Sequence, residues 1–281
     1  MARGLDHIVH AVRDLDAVAA LYRKLGFLVG ARNAHHRAWG TRNHIIQFSG
    51  TFIELLTVAD ASGIEPHTSR TFSFGAHNRD FLNGGEGLSM LVLQGLGGAD
   101  TDEFRTRKIG DFETYDFERE GKRPDGTPIK VAFSLAFARD PKAPDIGFFT
   151  CQHRYPENFW NPAFQVHSNT ASGVTSVVLV ANNLADHHIF LEAFSGVRDL
   201  HRQLRLAIPA AEIDDALLRR FLRVVPQARA AVRDAPDRLD VAHLEEQEAR
   251  AGHRQLPQVR KMPVVHHAID GGVLAHRRDD D

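Results

Sequence analysis

A histidine at position 7, in Leu5-Asp6-His7-Ile8-Val9-His10-Ala11-Val12, and a glutamate at position 54, in Phe52-Ile53-Glu54-Leu55-Leu56, have the clearest chemical use in this chain. An imidazole and a carboxylate that converge on the concave side of a curved sheet make half of a divalent-metal site. The same carboxylate can instead act as a base that moves a proton between carbons. Strand alternation puts His7 on one face with Leu5, Val9 and Ala11, and sets Asp6, Ile8, His10 and Val12 on the other. Phe52, Glu54 and Leu56 also share a face, and a carboxylate among apolar neighbours is costly to bury unless it is paired. Glu54 therefore requires a partner, and a plain buried hydrogen bond to His7 is the simplest one.

Other side chains qualify through their place in the chain. His153 ends an apolar run, Ile146-Gly147-Phe148-Phe149-Thr150-Cys151-Gln152-His153, and can complete a ligand set with His7 and Glu54. Gln152 beside it, His44 on a third strand and Phe52 on the Glu54 face are candidates for substrate contact. Trp39, with His35 and His36, lies on a loop long enough to cover a cavity, although an ordinary surface loop explains it too. His10 is expected to face a helix, and Cys151 to be a small buried hydrophobe.

The elements that must position these residues follow from periodicity and turn chemistry. Asp14 caps a helix with Leu15, Val18, Ala19, Tyr22 and Leu25 at helical spacing, and Gly26 ends it. Strands are expected from Phe27, over 44–48 and over 51–57, which gives the order strand, helix, strand, strand, strand. After a Gly/Asn-rich connector over 76–87, a second such set begins at 88–93, with a helix at 100–106 and strands at 113–120, 129–137 and 146–153. A third start, Val174 to Ala181, matches the first strand at an offset of 169, with Ser176 falling on His7.

Composition narrows the function classes. The 281 residues carry 34 basic and 36 acidic side chains, so no basic footprint for nucleic acid or an anionic membrane exists. No run approaches the roughly 20 apolar residues that span a bilayer, and no signal-peptide core follows Met1, so a cytoplasmic protein is expected. The single cysteine excludes an internal disulfide and a multi-thiolate cluster. No phosphate-binding loop or nucleophile elbow occurs.

The stretches Leu5-Asp6-His7-Ile8-Val9, Asp14-Leu15, Leu25-Gly26-Phe27, Trp39-Gly40-Thr41-Arg42-Asn43 and Phe52-Ile53-Glu54-Leu55 together resemble the glyoxalase-like branch of the vicinal oxygen chelate superfamily. The resemblance runs from about residue 4 to about 197. It implies an α+β fold in which repeated βαβββ modules form a curved, cup-like mixed sheet with helices outside. It also implies a divalent ion (Zn, Mn, Ni or Fe) held by a His/Glu pair from each module. His7 and Glu54 match the first pair, whereas Met90 stands at the second histidine position and no clear glutamate follows.

The domain reading is two modules over 1–165, a partial third over 166–210 and a helical or poorly ordered region over 211–281. Beyond Arg198 only Phe221 remains of 23 aromatics and three of 22 glycines, a break that a change of reading frame near 198–205 would produce. The expected function is a metal-assisted lyase, isomerase or dioxygenase acting on a small oxygenated molecule, with Glu54 and His7 catalytic. The alternative is a metal-free binder that sequesters a small compound. A homodimer is the expected partner arrangement, because paired modules often complete a cup between chains.

Overall fold

The computed structural model describes residues 2–122, 126–179, 181, 183–198 and 264–268, all within one compact unit. The expectations for 211–263, for 269–281 and for a frame change near 198–205 lie outside the described residues.

The first module runs β1 (Leu5–Ala11), α1 (Leu15–Lys24), β2 (Asn33–Ala34), β3 (Thr41–Gln47) and β4 (Phe52–Val58). The Asp14 side chain accepts a hydrogen bond from the Ala17 N–H and so caps α1. The strand expected from Phe27 does not form there. Phe27 instead packs edge-on against Phe48 and His167, and the edge strand shrinks to two residues.

A helix then forms where a connector was expected: α2 (Phe74–Gly84), capped by the Ser73 hydroxyl. Gly75 and Asn78 weaken its intrinsic propensity, so packing stabilises it. A Cβ on Gly75 would lie 2.3 Å from the Trp39 carbonyl oxygen, so only glycine permits this approach. The second module follows with β5 (Gly87–Gln94), α3 (Gly98–Thr106), β6 (Tyr115–Lys122), β7 (Pro128–Ala138) and β8 (Gly147–His153). Then come a short α4 (Pro156–Phe159), β9 (Ser176–Leu179) and α5 (His188–Ser195). Strand β10 (Val264–Ala268) pairs antiparallel with β9.

The eight strands of the modules make one mixed sheet in the order β2-β3-β4-β1-β5-β8-β7-β6. β1 runs parallel to β4, β5 runs parallel to β8, and the antiparallel β1–β5 pair joins the halves about a local two-fold. On the convex face, α1 covers Ile46, Phe48 and Leu55. There α3, β9 and α5 cover Leu91, Leu93 and Phe148 through Phe104, Val177, Phe190 and Phe194. The concave face is aromatic: Trp39, Phe74, Phe133, Phe137 and Phe149 pack with Val9, Met90 and Val92. Helix α2 contributes Phe74 to this inner cluster, and its Asn78 is fixed to Ser89 and Met90.

The curl brings the two edges of the sheet together. Asn33 of β2 accepts from Arg119 of β6 at 3.3 Å, and the His36 ring stacks on Tyr115 at 5.8 Å. These contacts between the two edges of the cup both come from within one chain. No helix among the described residues is long and apolar enough to cross a membrane.

Candidate functional site

The concave face holds a cavity of about 60 Å³ lined by His7, His35, Trp39, Asn43, Phe52, Glu54 and Phe74 from the first half. Phe117, Arg119, Phe133, Phe149, Cys151 and Phe159 line it from the second half.

His7 and Glu54 do converge: His7 Nε2 lies 3.9 Å from Glu54 Oε2, with both side chains buried. That separation is too long for a hydrogen bond and leaves room for a bridging atom. The Phe52 ring stacks on the His7 imidazole at 4.2 Å and fixes its plane. Glu54 Oε1 accepts a 2.5 Å bond from the Asn43 amide and lies 3.6 Å from His35 Nε2. These are the partners its burial demands. Burial pushes the pKa of His35 down against the opposing pull of the Glu54 charge, so His35 stays neutral there.

Asp6 is the residue that strict alternation misplaces. The register of β1 against β5 shifts between Leu5 and His7, which pair with Leu93 and Val92, so Asp6 is an extra residue in the strand. The irregularity brings its carboxylate to the His7 side, where Oδ1 is 2.5 Å from His7 Nδ1 and Oδ2 is 3.1 Å from His153 Nε2. Burial alone would raise the pKa of Asp6. Hydrogen bonds and charge from His153 and His7 outweigh that and hold it below the usual carboxylate range. Because the carboxylate accepts at His7 Nδ1, the lone pair of a neutral His7 sits on Nε2, toward Glu54.

His153 reaches the same centre, but through Asp6. Its Nδ1 is buried without a hydrogen-bond partner in the described structure, and Trp160 stacks on its ring at 5.3 Å. Among the described residues, one ligand atom each from Asp6, Cys151 and His153 lie within 4.8 Å of one another. His7 and Glu54 are not part of that group. Burial, reinforced by the charges of Asp6 and Glu54, pushes the Cys151 thiol pKa well above its ordinary value, so the resting group is a thiol.

Two of the expected contact residues point elsewhere. His44 holds the Gly30 carbonyl at 2.7 Å and approaches Asp16 of α1, on the convex side with Ile46 and Phe48. Gln152 alternates with Cys151 and His153 and lies against Gly97 at the start of α3. Trp39 and Phe52 both line the cavity. His35, Asn43, Arg119 and Asp6 were not among the expected site residues. For Asn43 and Arg119 a signal existed: Asn43 alternates against Ile46 and Phe48, and Arg119 shares a strand face with Tyr115 and Phe117.

The family-type metal set can be tested by register. His7 pairs with Val92 and Val9 with Met90, so the local two-fold carries His7 onto Met90. Glu54 pairs with Val9 and Phe149 with Val92, so it carries Glu54 onto Phe149. Met90 and Phe149 are buried and apolar, and neither offers a hard donor. A four-donor site of two His/Glu pairs does not fit these residues.

A sequence profile for the glyoxalase-like domain matches residues 5–193. The chain belongs to that family. No curated protein sequence matches it. Among solved structures, a hypothetical protein from Staphylococcus aureus overlays this glyoxalase-like domain with a TM-score of 0.52 at 15% identity. That overlay covers 68% of this chain and 75% of the other. Methylmalonyl-CoA epimerase from Mycobacterium tuberculosis gives a TM-score of 0.36 at 18% identity, covering 56% and 92%. A single-residue variant of the Streptomyces coelicolor epimerase in complex with 2-nitronate-propionyl-CoA gives 0.37 at 16%, covering 55% and 99%. The first of these supports the fold of this glyoxalase-like domain.

Proposed function

We propose that this glyoxalase-like protein is an enzyme that shifts a proton on a small oxygenated organic molecule, in the manner of an isomerase, epimerase or lyase. The supporting observation is the 3.9 Å gap between His7 Nε2 and Glu54 Oε2 inside an aromatic cavity. In this reading, Glu54 takes a proton from a carbon beside a carbonyl, and the C–H electron pair passes to the carbonyl oxygen. The Arg119 guanidinium, which also lines the cavity, stabilises the resulting enolate charge. The protonated Glu54 then returns that proton to carbon as the enolate collapses, and His7, with Asp6 on its Nδ1, accepts a hydrogen bond from a substrate hydroxyl at Nε2, which gives Asp6 the orienting role a buried carboxylate plays behind a histidine. No step is routed through a divalent ion on His7 and Glu54, because Met90 and Phe149 stand where the second pair of donors would have to be.

A second reading, a non-catalytic binder, is favoured by the aromatic lining of Trp39, Phe52, Phe74, Phe117, Phe133, Phe149 and Phe159. Incubating the protein with a panel of small hydroxy- and oxo-carbonyl compounds in D₂O, read by proton NMR, separates the two. Enzyme-catalysed exchange at carbon that disappears in Glu54→Gln supports the first. Compounds that quench tryptophan emission yet never exchange would establish the second.

A further inference from the structure

The mismatch at Met90 and Phe149 directs attention to donors that the chain does bring together. We propose that Asp6, Cys151 and His153 form a divalent-cation site of mixed oxygen, sulfur and nitrogen donors, suited to a thiophilic ion such as Zn²⁺ and separate from the His7–Glu54 position.

Two observations carry it. The donor atoms come from two strands that are not neighbours, β1 and β8, and still lie within 4.8 Å of one another. Around a tetrahedral zinc with bonds of about 2.0–2.3 Å, donors sit roughly 3.3–3.8 Å apart, so side-chain adjustments of about 1 Å close the site. The second observation is His153 itself: its side chain is 8% exposed, and Nε2, the nitrogen that would bind the ion, already lies 3.1 Å from Asp6 Oδ2.

Chemistry agrees with the placement. Carboxylate, imidazole and thiolate together match the borderline softness of zinc better than magnesium or calcium, which take oxygen ligands. Asp6 can serve both centres, because Oδ1 is bonded to His7 and Oδ2 faces His153. On binding, the ion replaces the Cys151 thiol proton, which leaves to solvent, and no electron is transferred. Cys151 also lines the cavity, which gives the ion its route inward.

The test is a cobalt(II) titration of chelator-treated, full-length protein under reducing conditions, followed by absorption and by tryptophan emission. One equivalent should produce a thiolate-to-cobalt charge-transfer band and quench Trp160, which stacks on His153. The band should vanish in Cys151→Ala, affinity should fall at least tenfold in His153→Gln, and Glu54→Gln should bind as the parent does. No charge-transfer band in the parent protein overturns the site, and so does a band that survives in Cys151→Ala. Metal binding lost in Glu54→Gln but kept in Cys151→Ala would place the ion at the His7–Glu54 position and also overturns it. The parent titration does not depend on any variant folding. Proton exchange in metal-free protein reads the proposed function separately, so either proposal can fail alone.

Discussion

Asp6 holds the Nδ1 of His7 at 2.5 Å although the two residues are adjacent in a strand, an arrangement that regular alternation forbids. The register shift that permits it also hands the second carboxylate oxygen to His153, so one acid orients two imidazoles. Replacing it by Asn keeps the shape and removes the charge. Asp6→Asn is expected to lower kcat/KM for carbon-proton exchange about ten- to a hundredfold, as loss of an orienting partner typically does. KM should change little. An unchanged kcat would show that Asp6 serves packing alone.

Stability should also respond to Asp6. Its folded pKa is depressed, so its contribution is complete above the ordinary carboxylate value of 3.8 and is lost as pH falls through the lower folded value. Urea unfolding of the parent and Asp6→Asn across the acid range should therefore converge at the lowest pH, where the parent has lost its advantage.

His77 adds a pH dependence of the same sign at milder pH. Its ring is buried beneath Phe72 and bonded through Nε2 to the Ser89 carbonyl, and burial lowers its pKa from 6.5 to about 4. The unfolded chain therefore takes up a proton first, and stability drains away as pH falls from 6.5 to about 4. The total loss is on the order of 3 kcal/mol. His77→Gln should flatten the profile in that window, as measured by Tm against pH. A slope unaffected by the substitution would assign the loss to His10 and His35, which shift in the same direction.

Arg119 is the cation lining the cavity, and no carboxylate pairs with it among the described ion pairs. Arg119→Met should weaken binding of a carboxylate probe such as benzoate about tenfold, the scale of one charge-assisted hydrogen bond, and leave benzamide unchanged. Equal loss for both probes would point to a change in shape instead of charge.

His44 provides the contrasting case. Because it bonds Gly30 on the convex side, His44→Ala is expected to cost about 1 kcal/mol of stability, one neutral hydrogen bond, with no change in binding or exchange. A drop in exchange at constant Tm would return His44 to the site.

The modules were legible because their strands alternate and their helices carry caps: β1, β4, β7, β8 and α1 lie close to where Leu5, Phe52, Ile129, Ile146 and Asp14 place them. The pairing of His7 with Glu54 followed from two alternating strands. What stayed hidden broke period two or came from outside it. Asp6 required an extra residue in β1, and His35 enters from beyond a two-residue strand that no pattern announces. Helix α2 was invisible because Gly75 and Asn78, poor helix formers in solution, are the residues that let it press against Trp39 and Ser89.

Because Asn33 meets Arg119 and His36 meets Tyr115 inside a single polypeptide, the rim of the cavity is closed by residues of one molecule. Occupancy should then follow a simple hyperbola with one ligand per molecule. Dilution to the most dispersed state of the protein should leave that stoichiometry unaltered.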